Sequence, residues 1–288
     1  MKNNYLCPHI NEFKFNKVSM KLLRKYVSYL LLATIPVVSS CSDDEEKVSP
    51  PAPSREIVRV DIYKVKGDAF QMEAQYRISY NNNLVSDVRT DYRSQEVNFS
   101  YAASTFGYRW IIKDNVEGIS MTRFEAELRD DGRVQVGSAV RTVGTQEETK
   151  NYAYYYNSNG NITDATYGGE QSFNYDWGSE LLTIKGRPAT YDAQYRYSGV
   201  TNDYSFDLNV LPLLVDERTD VMLAMNTYGQ MAGVIGTRYP CFLEKLGYTY
   251  NYMYDGEGRL AQIQQLPLAS NYNPLEQQTY WFMLTYND

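Results

Sequence analysis

Histidine is nearly absent from this chain: among 288 residues there is one, His9. It lies ahead of Cys41, in a segment that has the features of a cleaved export signal, as described below. Removal of that segment leaves a protein without any imidazole. Histidine-based catalytic triads, histidine metal sites and histidine acid–base catalysis are then excluded.

Cysteine is also scarce, with three in the whole chain. Once the leading segment is removed and Cys41 carries a lipid, Cys241 is the remaining thiol. A lone thiol cannot form an internal disulfide, and no histidine is present to activate it as a nucleophile. We therefore expect Cys241 to be a buried packing residue.

Basic clusters and reactive motifs are missing as well. The net charge is −7 and the pI is near 5.0. Nucleic acid is not an expected partner, because phosphate binding requires clustered Lys and Arg. The sequence contains no nucleotide-binding loop, nucleophile elbow, paired-cysteine metal motif or zinc-protease helix motif. It therefore predicts no catalytic residue, no metal site and no cofactor.

The first forty residues are typical of a bacterial export signal that begins at Met20. Lys21, Arg24 and Lys25 form a positive start, and residues 26–38 are mostly apolar over the length of a signal core. Such a stretch is too short to span a bilayer comfortably. The segment before Met20 is polar and mixed, so we assign 1–40 to the signal region and Met20 to the functional start.

A lipid-attachment motif follows directly. Val38, Ser39, Ser40 and Cys41 resemble the lipobox of bacterial lipoproteins, in which an aliphatic and two small residues precede a cysteine. The resemblance implies cleavage after Ser40 and acylation of Cys41, since small residues admit the peptidase and the thiol carries the lipid. The alternative is an unmodified, buried cysteine after an ordinary signal.

Residues 41–54 have the composition of an extended, disordered tether. An acidic run occupies 42–46, and three prolines follow before Arg55. The run resembles the surface-export signal of Bacteroidota lipoproteins, although a plain solvated spacer has the same composition. At about 3.1 to 3.5 Å per residue, a dozen residues hold a domain up to about 40 Å from a membrane. We expect a lipid-anchored protein of the outer membrane that faces the cell exterior.

From residue 55 to 288 the dominant pattern is alternation of aromatic residues, interrupted by Asn- and Gly-rich turns. The chain has 28 Tyr, which favour strands, whereas Asn and Gly favour tight hairpin turns. Strand–turn–strand units recur at 76–88, 124–136, 152–162, 173–184 and 248–263, and a last strand occupies 280–286. This predicts one all-β domain: a strongly curved, barrel-like antiparallel meander of about a dozen Tyr-rich strands.

One segment departs from this pattern. Between about 208 and 235 apolar residues are dense, without turn-separated alternation, and charged residues interrupt them at 216–220. We interpret the segment as a partly helical insert whose apolar side fills the concave face of the sheet. A membrane-inserting or ligand-gating hairpin is the alternative, which the central charges disfavour.

Two families resemble parts of the chain. The sequence 254–260, Tyr-Asp-Gly-Glu-Gly-Arg-Leu, is similar to the tyrosine-aspartate repeat of Rhs and teneurin-type shells, with a looser copy at 156–162. Most of 55–288 resembles an uncharacterised family of Bacteroidota lipoproteins with a porin-like fold, in its Tyr-rich strands, its Asn/Gly turns and the apolar insert that opens after 201–209. That resemblance implies a barrel-like sheet, a lipid anchor and no established activity.

Candidate functional side chains are carboxylates and aromatic rings. The acidic pairs are of the type that glycosidases use, but they fall at predicted turns and strand ends, where Asp bonds to its own backbone; they are Asp130 with Asp131, Asp203 with Asp207, and Asp255 with Glu257. A sugar-stacking platform would use tryptophans and nearby tyrosines, of which we select Trp177, Trp110, Trp281 and Tyr175. The same rings also suit the core of the sheet.

Three functions are compatible with these features. The leading hypothesis is a non-enzymatic surface protein that binds a glycan, a lipid or a host molecule, at a ring platform or in an oily cavity beneath the insert. The second is a structural or accessory component of an outer-membrane complex. The third is a carboxylate-dependent glycan hydrolase. The sequence leaves the oligomeric state open.

Overall fold

The computed structural model describes residues 55–66, 69–91, 94–114, 118–168, 171–187, 189, 192–216, 227–236, 238–268 and 279–287. The predicted signal region 1–40 with Ser40, and the predicted tether 41–54 with Cys41, lie outside these ranges. In the described ranges, no helix combines the length and the apolar composition that a membrane span requires.

The described residues form one antiparallel sheet of sixteen strands. The strands are β1 (Ile57–Lys66), β2 (Ala69–Asn81), β3 (Leu84–Thr90), β4 (Gln95–Tyr101), β5 (Thr105–Asp114), β6 (Gly118–Leu128), β7 (Val134–Val143), β8 (Gln146–Tyr156), β9 (Ile162–Tyr167), β10 (Gln171–Trp177), β11 (Leu181–Arg187), β12 (Ala193–Thr201), β13 (Cys241–Lys245), β14 (Tyr248–Tyr254), β15 (Leu260–Pro267) and β16 (Thr279–Tyr286). Sequence neighbours pair from β1 to β13 and from β14 to β16. The predicted meander is confirmed.

Sixteen strands exceed the dozen that the aromatic alternation predicts. The strands beyond that dozen include Gln95–Tyr101. The first half of Gln146–Tyr156 was also not predicted, since it is polar on both faces and exposed. Such a segment gives no period-two signal of its own. Backbone hydrogen bonds to the neighbouring strands keep it in the sheet; Gln146, for example, lies opposite Val143 of β7.

Pairing of the first strand with the last curves the sheet into a nearly closed barrel. Alternate residues point inward and are apolar: on β5, Phe106, Tyr108 and Trp110 are buried, whereas Arg109 between them is exposed. The inward residues of successive strands form a continuous hydrophobic core. The core therefore lies inside the barrel, and polar side chains cover much of its outside.

The segment between β12 and β13 enters the barrel and completes this core. It contains a 3-10 turn (Leu208–Val210), a short helix α1 (Leu213–Asp216) and a helical turn at 227–231. Phe206, Leu208 and Leu211 are fully buried. These residues confirm the predicted apolar, partly helical insert, while the charged stretch 217–220 lies outside the described residues.

The barrel closes between β13 and β14 through side chains, since these two strands are the opposite ends of the sheet. The Asn209 side chain accepts a hydrogen bond from the Leu243 amide (2.6 Å), and the Tyr250 hydroxyl accepts one from the Lys245 amide (3.1 Å). The Tyr252 hydroxyl donates to Glu244 (2.7 Å). Edge amides that lack a strand partner are thus satisfied by side chains of the insert and of β14.

Three turns at one end of the barrel share one geometry. In Arg129–Arg133, Asn157–Asn161 and Asp255–Arg259, the amide of the first residue donates to the carbonyl of the fifth, at 2.8 to 3.0 Å. The fourth residue is a glycine with φ between 76° and 80°. This is the backbone of a turn followed by a left-handed residue, which glycine adopts without steric cost. The predicted hairpins are confirmed at all three positions.

A second repeated contact links neighbouring strands of the barrel. An aromatic side chain near the end of one strand donates a hydrogen bond to the carbonyl near the start of the preceding strand, at 2.6 to 2.8 Å; the pairs are Tyr80 with Ile57, Tyr101 with Val85, Tyr156 with Val134, Trp177 with Ile162, and Tyr286 with Leu260. We call these contacts latches. They satisfy carbonyls near the turns and orient the aromatic rings into the core.

Candidate functional site

A cavity of about 140 Å³ lies inside the barrel between strands β9–β12 and the insert. Its wall residues are mostly aromatic or aliphatic and include Phe173, Tyr175, Trp177, Leu182, Ile184, Ala193, Tyr195, Leu213, Ile235 and Tyr239. We call the strands on this side the cavity wall. The volume is close to that of an engineered apolar cavity of about 150 Å³ that binds benzene in another protein. A small ring or a short alkyl segment therefore fits in the available space.

A stack of three aromatic rings borders the cavity. Tyr239 lies between Trp177, at 5.5 Å and 18° between the planes, and Tyr197, at 4.6 Å and 16°. The Trp177 indole N–H is already engaged in its latch to the Ile162 carbonyl. One face of Trp177 is therefore covered and its edge is fixed, so that the ring serves as a rigid boundary of the cavity.

Tyr175 forms another part of the same boundary. It follows the alternation of β10, which turns Phe173, Tyr175 and Trp177 to the inside of the barrel. Burial raises the pKa of the Tyr175 hydroxyl well above its usual range. The hydroxyl therefore stays neutral across the physiological pH range, and it serves the site as an apolar ring with a neutral donor rather than as a base.

Asp207 is the acidic residue among the described residues that line the cavity. The Asn202 side chain (2.6 Å) and the Asn209 amide (2.9 Å) both donate to its Oδ1 atom. Burial raises the pKa of the Asp207 carboxyl above its usual range, and these two donors, with the nearby Arg238 cation, oppose that rise. Asp207 also caps the 3-10 turn, so its position is fixed by the fold of the insert.

Gln230 also lines the cavity. Its Oε1 atom is buried and has no hydrogen-bond partner in the described part of the chain. A buried carbonyl oxygen without a partner costs about 1–3 kcal/mol.

Two of the four aromatic residues selected from the sequence meet in this cavity, namely Trp177 and Tyr175. Trp110 lies elsewhere in the core, where it is 2% exposed, donates to Gln95 and contacts the Tyr228 ring. Its faces are covered by the core, so it cannot act as a stacking platform for a sugar. Trp281 has the opposite parity to the buried Phe282 and contacts the exposed Phe70 at 4.4 Å.

The members of the predicted acidic pairs have different structural contacts, most of them local. Asp131 accepts from the Arg133 amide and pairs with its guanidinium (2.7 Å). Asp255 does the same within its own turn, with Arg259 at 2.8 Å. These contacts confirm the interpretation of Asp131 and Asp255 as turn residues. Asp203 contacts Arg55 at the surface, whereas its predicted partner Asp207 lies in the cavity.

Sequence analysis did not select several residues of the cavity. Tyr195 alternates with Tyr197 on β12, and this period-two signal identifies it as an inward residue. Tyr239 carries no comparable signal because it lies in irregular chain, and Gln230 carries none because its helical turn, 227–231, is too short to show a period. Cys241 is buried, as expected. Among the described residues, no group of three or more His, Cys, Asp or Glu side chains is placed to hold a metal ion.

Comparison with solved structures identifies similar folds in Bacteroides. A porin-like protein from Bacteroides uniformis superposes with a TM-score of 0.55 and 15% identity, over 82% of this chain and 99% of that chain. One from Bacteroides vulgatus matches 81% of this chain and 98% of that chain, with 10% identity and a TM-score of 0.26. No protein-family model and no curated protein matches the chain, so the resemblance to Rhs-type repeats has no support beyond the turn itself. The first superposition shows that the chain has a porin-like fold.

Proposed function

We propose that this protein is a non-enzymatic binding protein, anchored to the outer membrane through Cys41 and facing the cell exterior. Its ligand is a small, mainly apolar molecule, or the apolar end of a lipid, that enters the cavity between the cavity wall and the insert. The observation that carries the proposal is the cavity of about 140 Å³ beside Tyr175 and Trp177. Ligand sites are mostly apolar cavities with a few polar groups, as here.

The dimensions favour a lipid-like or aromatic ligand over a glycan. The cavity approximates the size of one benzene-binding cavity, and its Trp177 ring is already stacked on Tyr239. A pyranose stacks on an aromatic ring only where a face of that ring is uncovered. The interior therefore suits a ring or a short alkyl chain.

The same geometry disfavours glycan hydrolysis. Glycosidases of the usual type need two carboxyl groups about 5 to 9.5 Å apart across the scissile bond. Asp207 is the single carboxylate among the described residues that line the cavity. Asp131 and Asp255 are occupied by the arginines of their own turns. Binding without turnover is therefore the function that we assign to the site.

A second candidate, an accessory role in an outer-membrane complex, is favoured by one feature of the outer surface. Phe70 and Met72 are 53% and 45% exposed, and Phe70 packs on Trp281. An exposed aromatic cluster of this kind is typical of protein contact surfaces. Copurification of the tagged chain with defined envelope proteins, lost on Phe70→Ser, would favour this role.

Binding is tested with toluene and the detergent-solubilised full chain. We expect saturation-transfer NMR to show bound toluene, and the Ala193→Leu variant to lose it because leucine fills the cavity. Gln194→Leu adds the same side chain at the next, outward position of β12 and should retain binding. Absence of toluene binding, or equal binding by Ala193→Leu, would contradict the cavity as the site.

The anchor and the location need separate experiments in cells. Metabolic labelling with a clickable fatty acid should mark the wild-type chain, and Cys41→Ala should take up no label. Protease treatment of intact cells should then digest the wild-type protein but leave periplasmic controls intact. Label on Cys41→Ala would contradict lipidation at this residue, and protection from protease would contradict surface exposure.

A further inference from the structure

The polar groups of the cavity are unevenly distributed between acceptors and donors. Its described lining residues include no Lys, Arg or His, but they include the Asp207 carboxylate. Two potential donors are engaged, since the Trp177 indole donates to a backbone carbonyl and the Asn209 side-chain amide donates to the Cys241 carbonyl. The described lining therefore offers a carboxylate to a ligand and no cation to an anion.

Asp207 retains capacity for one more donor. A carboxylate has about four acceptor positions. The Asn202 side chain and the Asn209 backbone amide occupy two of them on Oδ1, and the Asn209 side chain occupies a third, which leaves one. The nearby cation, Arg238, donates to the carbonyls of Tyr204 and Ser205 and does not line the cavity. The charge of Asp207 is therefore only partly compensated on the side of the cavity.

The walls of the cavity suit a cation for a second reason. Phe173, Tyr175 and Tyr195 present aromatic rings to the same space as Asp207. The faces of aromatic rings are electrostatically negative and attract ammonium groups, by about 2 kcal/mol or more where water is excluded. Rings and carboxylate thus favour the same kind of ligand.

We propose that the cavity selects small molecules that carry a protonated nitrogen on a compact aromatic or alkyl body. The ammonium group donates to Asp207, and the apolar body packs between Tyr175, Tyr195 and the insert. Fatty acids and other carboxylates are rejected, because their charge would meet that of Asp207 without a cation to balance it. This selectivity rests on the binding function proposed above and adds the chemical class of its ligand.

The test compares three probes of nearly equal size on the full chain in detergent: benzylamine, benzyl alcohol and benzoate. We expect titration calorimetry at neutral pH to show benzylamine binding at least tenfold more tightly than benzoate, with benzyl alcohol between them. Asp207→Asn keeps an oxygen acceptor but removes the charge, so it should weaken benzylamine about tenfold and benzyl alcohol less than threefold. Asp176→Asn, on the outward side of β10 between Tyr175 and Trp177, is the matched control and should change neither.

Two results separate this inference from the function on which it rests. If toluene and benzyl alcohol bind but benzoate binds as tightly as benzylamine, the selectivity is wrong and the cavity remains a binding site. If none of the compounds binds, both fail. Should Asp207→Asn not fold, Tyr195→Leu provides the second variant: it removes a ring of the cavity without a charge change, and it should weaken benzylamine more than toluene. An unchanged ratio of the two affinities in that variant would overturn the selection of a cation by the rings.

Discussion

Strands β5–β8 and strands β9–β12 both turn alternating aromatic residues to the inside of the barrel, and the second set borders the cavity described above. On β5–β8, which we call the packed wall, the Phe124 ring contacts Tyr108 at 5.2 Å and Tyr152 at 6.0 Å, and Tyr228 of the insert closes over Tyr108 at 5.8 Å. On the cavity wall the insert presents Pro212, Gly236 and polar side chains beside the single ring of Tyr239, and the cavity remains between them and the strands.

The comparison shows that the filling of this barrel is decided by the insert. Both walls supply aromatic rings, but contact across the interior depends on which residue of the insert stands opposite. A large ring such as Tyr228 removes the remaining space, whereas small or polar residues leave it. Close packing of this kind is worth several kcal/mol per side chain, so the two walls should respond differently to substitution.

Deletion of a ring should have the largest effect, and the effect should be greater on the packed wall. Phe124→Ala removes a fully enclosed ring and should cost about 3–5 kcal/mol of unfolding free energy. Phe173→Ala removes a ring that already borders empty space, so fewer contacts are lost and the cost should be smaller. Urea denaturation of both variants checks this order; equal costs would contradict the distinction between the walls.

Enlargement of a side chain should have opposite consequences on the two walls. At Gly137 of the packed wall an added Cβ would lie 2.8 Å from two atoms of the Phe124 ring. Gly137→Ala should therefore cost about 1–3 kcal/mol through overpacking. Ala193→Leu extends into the cavity and should leave the stability unchanged or raise it by about 1 kcal/mol. Thermal denaturation followed by circular dichroism measures both; destabilisation by Ala193→Leu would show that the cavity cannot accept added atoms.

The latches occur on both walls, so they provide a reference that does not depend on the cavity. Tyr156→Phe keeps the ring but removes the donor to the Val134 carbonyl, and the cost should be about 1 kcal/mol. Tyr155→Phe, one residue earlier and 55% exposed, is the matched control and should be neutral. If both variants are equally stable, the latches do not stabilise the barrel.

The smallest effect is expected in the turn Asp255–Arg259, which lies outside both walls, and it should depend on pH. Partial desolvation raises the pKa of the Asp255 carboxyl, but hydrogen bonds from Arg259 and the turn amides outweigh it and hold the pKa below the usual 3.8. A lowered pKa means that the ionised carboxylate stabilises the fold above that value and loses this contribution as the pH falls through the lowered pKa. Asp255→Asn should cost up to about 1 kcal/mol at pH 7.

The cost of Asp255→Asn should disappear in acid, because the wild-type carboxyl is then protonated and also uncharged. Denaturation curves at pH 7 and at successively lower pH values check this trend. Asp164→Asn, on the outer face of β9 and paired with the neutral Asn174, serves as a control without an ion pair. A cost that stays constant with pH would mean that the Arg259 pair does not contribute.

Much of the fold could be predicted from the sequence. Aromatic alternation at 76–80, 152–156 and 173–177 indicated strands and their inward residues, and Gly132, Gly160 and Gly258 indicated where the hairpins turn. Two members of the cavity, Tyr175 and Trp177, were selected as rings of a stacking platform, and Asp207 was named as one of an acidic pair. Gln230 and Tyr239 were not selected, because a short helical turn and irregular chain show no periodicity that relates sequence position to direction.

Local patterns in the sequence are enough to predict the all-β meander, the position of the insert and the inward side of the alternating strands. These properties depend on local preferences, since successive strand residues point to opposite faces and Gly or Asn adopts the turns. Three properties could be read from the folded chain alone: Trp110 is covered by the core, Trp177 and Asp207 border one cavity, and side chains close the barrel between β13 and β14. They depend on which residues of the insert meet which strands, and contacts such as those of Asn209 with Leu243 and of Trp177 with Tyr239 join positions that no local pattern connects.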